Sequence, residues 1–192
     1  MMFADQHKSA APAISEQLIP YVEQSTLAVA DRESILLQLE ELLPKIRNKE
    51  ISTKQLYRLR NCLTDNPVLL WGVVQSVVSQ AKNLSVESGG GSDGMTAVEL
   101  EALDRIEGRL LRAAAERKIG RNDLEITLQS CAVMAKNQSG LEVKPDLTPT
   151  QVREFMTRAE QLIENQKIPN EVYEKTPADA FEALVRSALE LE

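Results

Sequence analysis

Apolar residues recur along this chain at intervals of four, three and four. Ile35, Leu39, Leu42 and Ile46 form one such run, and Val152, Met156, Ala159 and Ile163 another. That spacing lays a single apolar stripe along an α-helix. Further helical stripes run through Leu56, Leu59 and Leu63, through Leu100, Leu103, Ile106, Leu110 and Leu111, through Leu124, Leu128, Cys131 and Met134, and through Phe181, Leu184, Val185, Ala188 and Leu189. Pro67 to about Asn83 is apolar round most of its circumference, with Trp71 and five valines, and is expected at the centre. The pattern predicts an all-α, multi-helix bundle built from helical hairpins, possible as two small helical subdomains joined by a Gly/Ser-rich linker.

Punctuation residues mark the helix ends. Asp31 and Ser52 are expected as N-caps, Asn66 before Pro67 as a stop and restart, Thr96 with Glu99 as a capping box, and Thr148-Pro149 and Thr176-Pro177 as capped proline starts, the latter with Asp179 at the third position. Pro20 limits the first helix, from Ala13, and Pro44 is expected to kink or end the second. Residues 1–12 read as a loose tail and 13–84 as an N-terminal helical unit. Residues 85–95, with Ser85 to Gly94 rich in Gly and Ser, read as a flexible linker, and 96–192 as a C-terminal helical unit. The helix carrying Leu124 is expected to end near Asn137, and Leu141 to Asp146 reads as a loop.

Three corners share one design. Asn48 to Ser52, Arg117 to Gly120 and Gln166 to Pro169 each place an Ile (Ile51, Ile119, Ile168) beside a Ser, Gly or Pro. Aligning the three isoleucines places Ile35 and Ile46 over Leu103 and Ala114 and over Val152 and Ile163, a loose repeat that tolerates a one-residue shift. Separations of 68 and 49 residues are too uneven for a regular solenoid.

Composition narrows the chemistry. The single histidine, His7, lies in the tail, so a Ser-His or Cys-His pair is not expected in the folded part. Cys62 and Cys131 lack CxxC spacing and sit among apolar helix residues, as buried free thiols do. No zinc or calcium motif appears, and Glu40-Glu41 reads as solvated helix surface rather than an acid–base pair. The chain is therefore expected to work without cofactor or metal and without catalysis. No signal peptide or spanning segment is read, which gives a cytoplasmic expectation.

A net charge of −7 argues against general binding to nucleic acid or anionic membranes. One stretch runs against it. From Pro44 to Asn61 stand Lys45, Arg47, Lys49, Lys54, Arg58 and Arg60 with one acid, Glu50. These six residues are the candidate contacts for an acidic partner or a nucleic acid, and a recognition helix from Ser52 would present Thr53, Lys54, Gln55 and Arg58. A second basic stretch, with Arg105, Arg109, Arg112, Arg117, Lys118 and Arg121, also carries Asp104, Glu107 and Glu116, and the segment from Thr148 to Glu192 is acidic. The leading expectation is a helical protein–protein interaction or regulatory module, through a protein partner or self-association. The alternatives are a helix-turn-helix nucleic-acid binder and an enzyme of unknown type.

Overall fold

The structure, a computed structural model, describes residues 11–25, 27–86, 93–137, 140–144, 146–168 and 176–190. Eight α-helices are present among them: α1 (Ile19–Glu23), α2 (Val29–Arg47), α3 (Thr53–Thr64), α4 (Trp71–Asn83), α5 (Ala97–Ala115), α6 (Arg121–Ser130), α7 (Pro149–Asn165) and α8 (Pro177–Glu190). The all-α bundle read from the sequence is the observed fold, with one small addition. Met134–Asn137 (β1) and Gly140–Val143 (β2) pair antiparallel, with Met134 opposite Val143 and Asn137 opposite Gly140. The tail up to Ala10, His7 included, and residues 87–92 of the expected linker lie outside the described residues.

Capping chemistry explains most of the boundaries. Ser52 with Gln55, Thr96 with Glu99 and Thr148 with Gln151 form reciprocal capping boxes that satisfy otherwise orphan N–H groups. Thr176 and Asp179 make the same exchange at α8. Asn66 Oδ1 accepts from Val68 N–H and starts a 3-10 turn, Pro67–Leu70, that leads into α4. Ahead of α1, Ala13–Leu18 is π-helical, and helix already begins at Ala11, inside the expected tail.

Four expectations are corrected. Asp31 does not cap α2, whose N-cap is Ala28. It lies in the first turn, buried, where its carboxylate accepts from Gln75 Nε2 (3.3 Å) and from Ala178 N–H at the start of α8 (3.4 Å). Pro44 does not end α2, which runs on to Arg47; the proline lies in the last turn, where only one ladder bond is forfeited. α6 stops at Ser130, seven residues before Asn137, and the stretch read as helix end and loop forms the hairpin. Leu141-Glu142-Val143 carries the short alternation that favours a strand over a helix, and it pairs back on Met134–Asn137. In α7 Phe155 is fully buried alongside Val152, Ala159 and Ile163, while Met156 is only partly buried against the core.

The corners share a finer geometry than the sequence showed. Lys49, Arg117 and Lys167 all adopt left-handed backbone, with φ of 58°, 59° and 52°. In each, that residue donates to a carbonyl three residues back and the next donates to one five back: Lys49 to Ile46 and Glu50 to Lys45, Arg117 to Ala114 and Lys118 to Ala113, Lys167 to Glu164 and Ile168 to Ile163. This is the Schellman closure of a helix C-terminus. The end of α6 repeats it, with Ala132 at φ 56° donating to Gln129 and Val133 to Leu128. Superposed on these bonds, Ile51 and Ile119 coincide, whereas Ile168 stands one position earlier. All three isoleucines are buried.

The core is continuous from Ala11 to Ala188. Trp71, Val74, Val77 and Ala81 of α4 are fully buried, as are Phe155 on α7 and Phe181 on α8. Each such large side chain contributes about 1.5–3 kcal/mol on leaving water. Helices joined by a corner find their main partners elsewhere. α8 packs against α3 most extensively, and also against α2 and α5, while α5 also takes α7 and α6 takes the 3-10 turn. Gln55 Nε2 donates to the Leu189 carbonyl, which ties the first turn of α3 to the last turn of α8. The bases of the Gly/Ser segment are stitched together, Met95 N–H donating to Leu84 and Val86 N–H to Met95, with Met95 fully buried.

Candidate functional site

The first corner collects cations that nothing else in the described fold neutralises. Lys45 and Arg47 occupy the last turn of α2, Lys49 is the left-handed residue that closes it, and Lys54 lies in the first turn of α3. All four are exposed. None has an ion-pair partner among the described residues. The helix ends do not disperse this charge. The C-terminus of α2 favours Lys45 and Arg47 through its dipole, so they are held where they are. The other two candidates differ: Arg60 is exposed farther along α3, and Arg58 is half-buried, with Nη1 sealed from water and unbonded among the described residues.

Most of the residues assigned to a recognition helix have other duties. Gln55 accepts from Ser52 N–H with Oε1 and donates to Leu189 with Nε2, so both ends of its amide are engaged. Arg58 is half-buried, and Thr53 is partly covered. Lys54 alone of that set projects freely. Tyr57, 60% exposed, follows it on the same helix and was not singled out by sequence, since a tyrosine at helical spacing reads as core.

Most of the second basic stretch is engaged where it stands. Arg105 bonds Glu101 at 2.8 Å, Arg112 bonds Glu116 at 2.9 Å, Lys118 reaches the other oxygen of Glu116 at 3.0 Å, and Arg109 donates to the Ile168 carbonyl. The hydrogen bonds from Arg112 and Lys118 hold the Glu116 carboxyl below the usual carboxylate range. Arg153 grips Glu99 at 2.7 Å, and that bond lowers the Glu99 pKa to about 2.

Two concavities were invisible to sequence reading. A pocket of about 100 Å³ lies where the second corner meets the end of α3, lined by Cys62, Asp65, Asn66, Arg117 and Gly120 among others. A Cβ at Gly120 would come within 2.8 Å of the Asp65 carboxylate, which would have to swing aside. Burial pushes the Cys62 thiol up despite nearby Arg117, so it is a poor nucleophile. Cys131 is likewise raised to about 11 by burial, and both thiols are free. The second concavity is an open groove beside α4, lined by Gln75, Ser79, Lys82 and Glu107. Burial raises the Glu107 pKa, while its hydrogen bond from Trp71 Nε1 at 3.4 Å works in the other direction.

Among the described residues no three His, Cys, Asp or Glu side chains converge as a metal site would require, and no helix is long and apolar enough to cross a membrane. No protein-family model matches the chain, and no curated protein or solved structure does so either.

Proposed function

We propose that this chain is a non-catalytic interaction module whose first corner docks an acidic segment of a protein partner. One observation carries the reading. In a chain of net charge −7, Lys45, Arg47, Lys49 and Lys54 stand exposed and unpaired among the described residues, while Arg105 and Arg112 of α5 are paired locally. Unpaired cations on a rigid helix junction steer and orient an acidic ligand at little conformational cost. Tyr57 beside them supplies the aromatic surface that interface centres favour. Action in the cytoplasm, where Cys62 and Cys131 stay reduced, belongs to the same proposal.

A phosphate backbone would meet the same cations, but it would also meet the acidic remainder of the chain, and only Lys54 of the expected recognition set is free to read bases. The test is fluorescence anisotropy with a labelled Glu/Leu-rich peptide and, separately, a labelled duplex DNA. The peptide is expected to bind and to weaken as salt rises. Replacing Lys45, Arg47, Lys49 and Lys54 together by Ala is expected to lower affinity at least about tenfold, roughly 1.4 kcal/mol. Absence of peptide binding at low salt overturns the reading, and salt-sensitive retention of DNA alone transfers the corner to nucleic acid.

A further inference from the structure

Apart from the buried Asp31 and the half-buried Arg32 of its first turn, the charges of α2 are segregated along its length. Glu33, Glu40 and Glu41 are exposed over its first two-thirds, and Lys45, Arg47 and the following Lys49 gather at its end. None of the six forms an ion pair among the described residues. Helical geometry brings residues 29, 33, 37, 40, 41 and 44 round to one side, opposite the buried Ile35, Leu39, Leu42 and Ile46. Two apolar residues stand on that outer side, Val29 and Leu37, each 57% exposed.

A surface with acid at one end and base at the other is complementary to itself when reversed. Two such helices laid parallel set like charge on like. Laid antiparallel about a two-fold axis, they set acid on base twice, because an isologous interface repeats every contact. With the axis level with Leu43 and Pro44, Glu40 lies level with Arg47 of the partner subunit on one flank, Glu41 comes near Lys45 of the partner subunit on the other, and Leu37 lies between the flanks, level with the turn that follows the partner's helix. We propose that a second copy of this chain docks antiparallel along α2, its acidic stretch against the basic end, with Leu37 at the seam. This inference rests on the reading of the first corner as an acid-binding surface, and it names the acid.

Charge reversal tests it by complementation, with sedimentation velocity as the readout. The wild type is expected to dimerise, with a dissociation constant that rises tenfold or more between roughly 0.05 M and roughly 0.5 M salt. One variant carries Glu33→Lys, Glu40→Lys and Glu41→Lys, and the other carries Lys45→Glu, Arg47→Glu and Lys49→Glu. Each gives the exposed charges of α2 a single sign and is expected to be monomeric alone, while their equimolar mixture forms a heterodimer. Circular dichroism reports that both are folded. Should either fail to fold, Leu37→Asp provides the second route, with an expected loss of tenfold or more in dimer affinity. A monomeric wild type at low salt, two folded variants that do not associate when mixed, or an unaffected Leu37→Asp would each overturn the dimer. A monomer that still binds the Glu/Leu peptide overturns the dimer and leaves the corner reading standing, whereas loss of both removes the corner reading too.

Discussion

The first and second corners are closed by the same pair of hydrogen bonds on the same left-handed residue, yet one ends in bare cations and the other in ion pairs and a pocket. Lys49 and Arg117 differ by one degree in φ. Around Lys49 the cations face solvent, and around Arg117 the acids Glu116 and Asp65 stand close, with Lys118 bonded to Glu116. Identical backbone chemistry therefore specifies where the chain turns and leaves the surroundings free to differ. The corner is a folding device. The charge placed on it is where a ligand would be distinguished.

The strongest way to probe the shared half of this comparison is to remove the buried pins. Ile51→Ala and Ile119→Ala each delete a side chain that is nearly inaccessible, and each is expected to cost about 2–5 kcal/mol by urea unfolding. Similar losses sustain the equivalence of the two corners, and a loss confined to one would break it. Next come the left-handed residues. A non-glycine residue there costs about 1–2 kcal/mol relative to what glycine would adopt freely. Lys49→Gly, Lys167→Gly and Ala132→Gly are each expected to raise stability by up to about 1 kcal/mol, and a uniform loss instead would show that the closures are not strained.

Smaller effects sharpen the contrast in charge. Because the Glu116 carboxyl is held low in the folded state, its pair with Arg112 and Lys118 contributes stability above the ordinary unfolded carboxylate value. That contribution is lost as pH falls through the lower folded value. Glu116→Gln should therefore flatten the acid limb of the stability profile and leave neutral pH changed by only a few tenths of a kcal/mol. Least of all, Lys45→Ala and Arg47→Ala are expected to leave the urea midpoint within about 0.5 kcal/mol, since they neutralise nothing in the described fold. A large loss at either would mean these cations are structural after all.

Much of the bundle was legible because helices announce themselves twice, in the period of their apolar residues and in their caps. Ser52, Thr96, Thr148 and Thr176 begin helices as read, and the stripes on α2, α5 and α8 are the buried faces observed. What escaped depends on distance in sequence. Asp31 was read as a local cap because its partners, Gln75 and Ala178, lie 44 and 147 residues away. The hairpin escaped because four-residue strands are too short to outvote a preceding helical period. Gln55, read as one of the residues a recognition helix from Ser52 would present, is engaged by Leu189. The basic corner itself was legible as composition. That its charges are unpaired, while those of Arg105 and Arg112 are not, required three dimensions.

The packing of α8 has a consequence for how the chain is made. The hydrogen bonds from Ala178 to Asp31 and from Gln38 to Ala178 close loops of 147 and 140 residues. At typical synthesis rates, α2 and α3 leave the ribosome on the order of ten seconds before the helix that covers them exists. During that interval the faces of α2 and α3 that pack against α8 stay open. Nascent chains stalled before Pro177 are therefore the ones expected to recruit a chaperone, and its release should follow the emergence of α8.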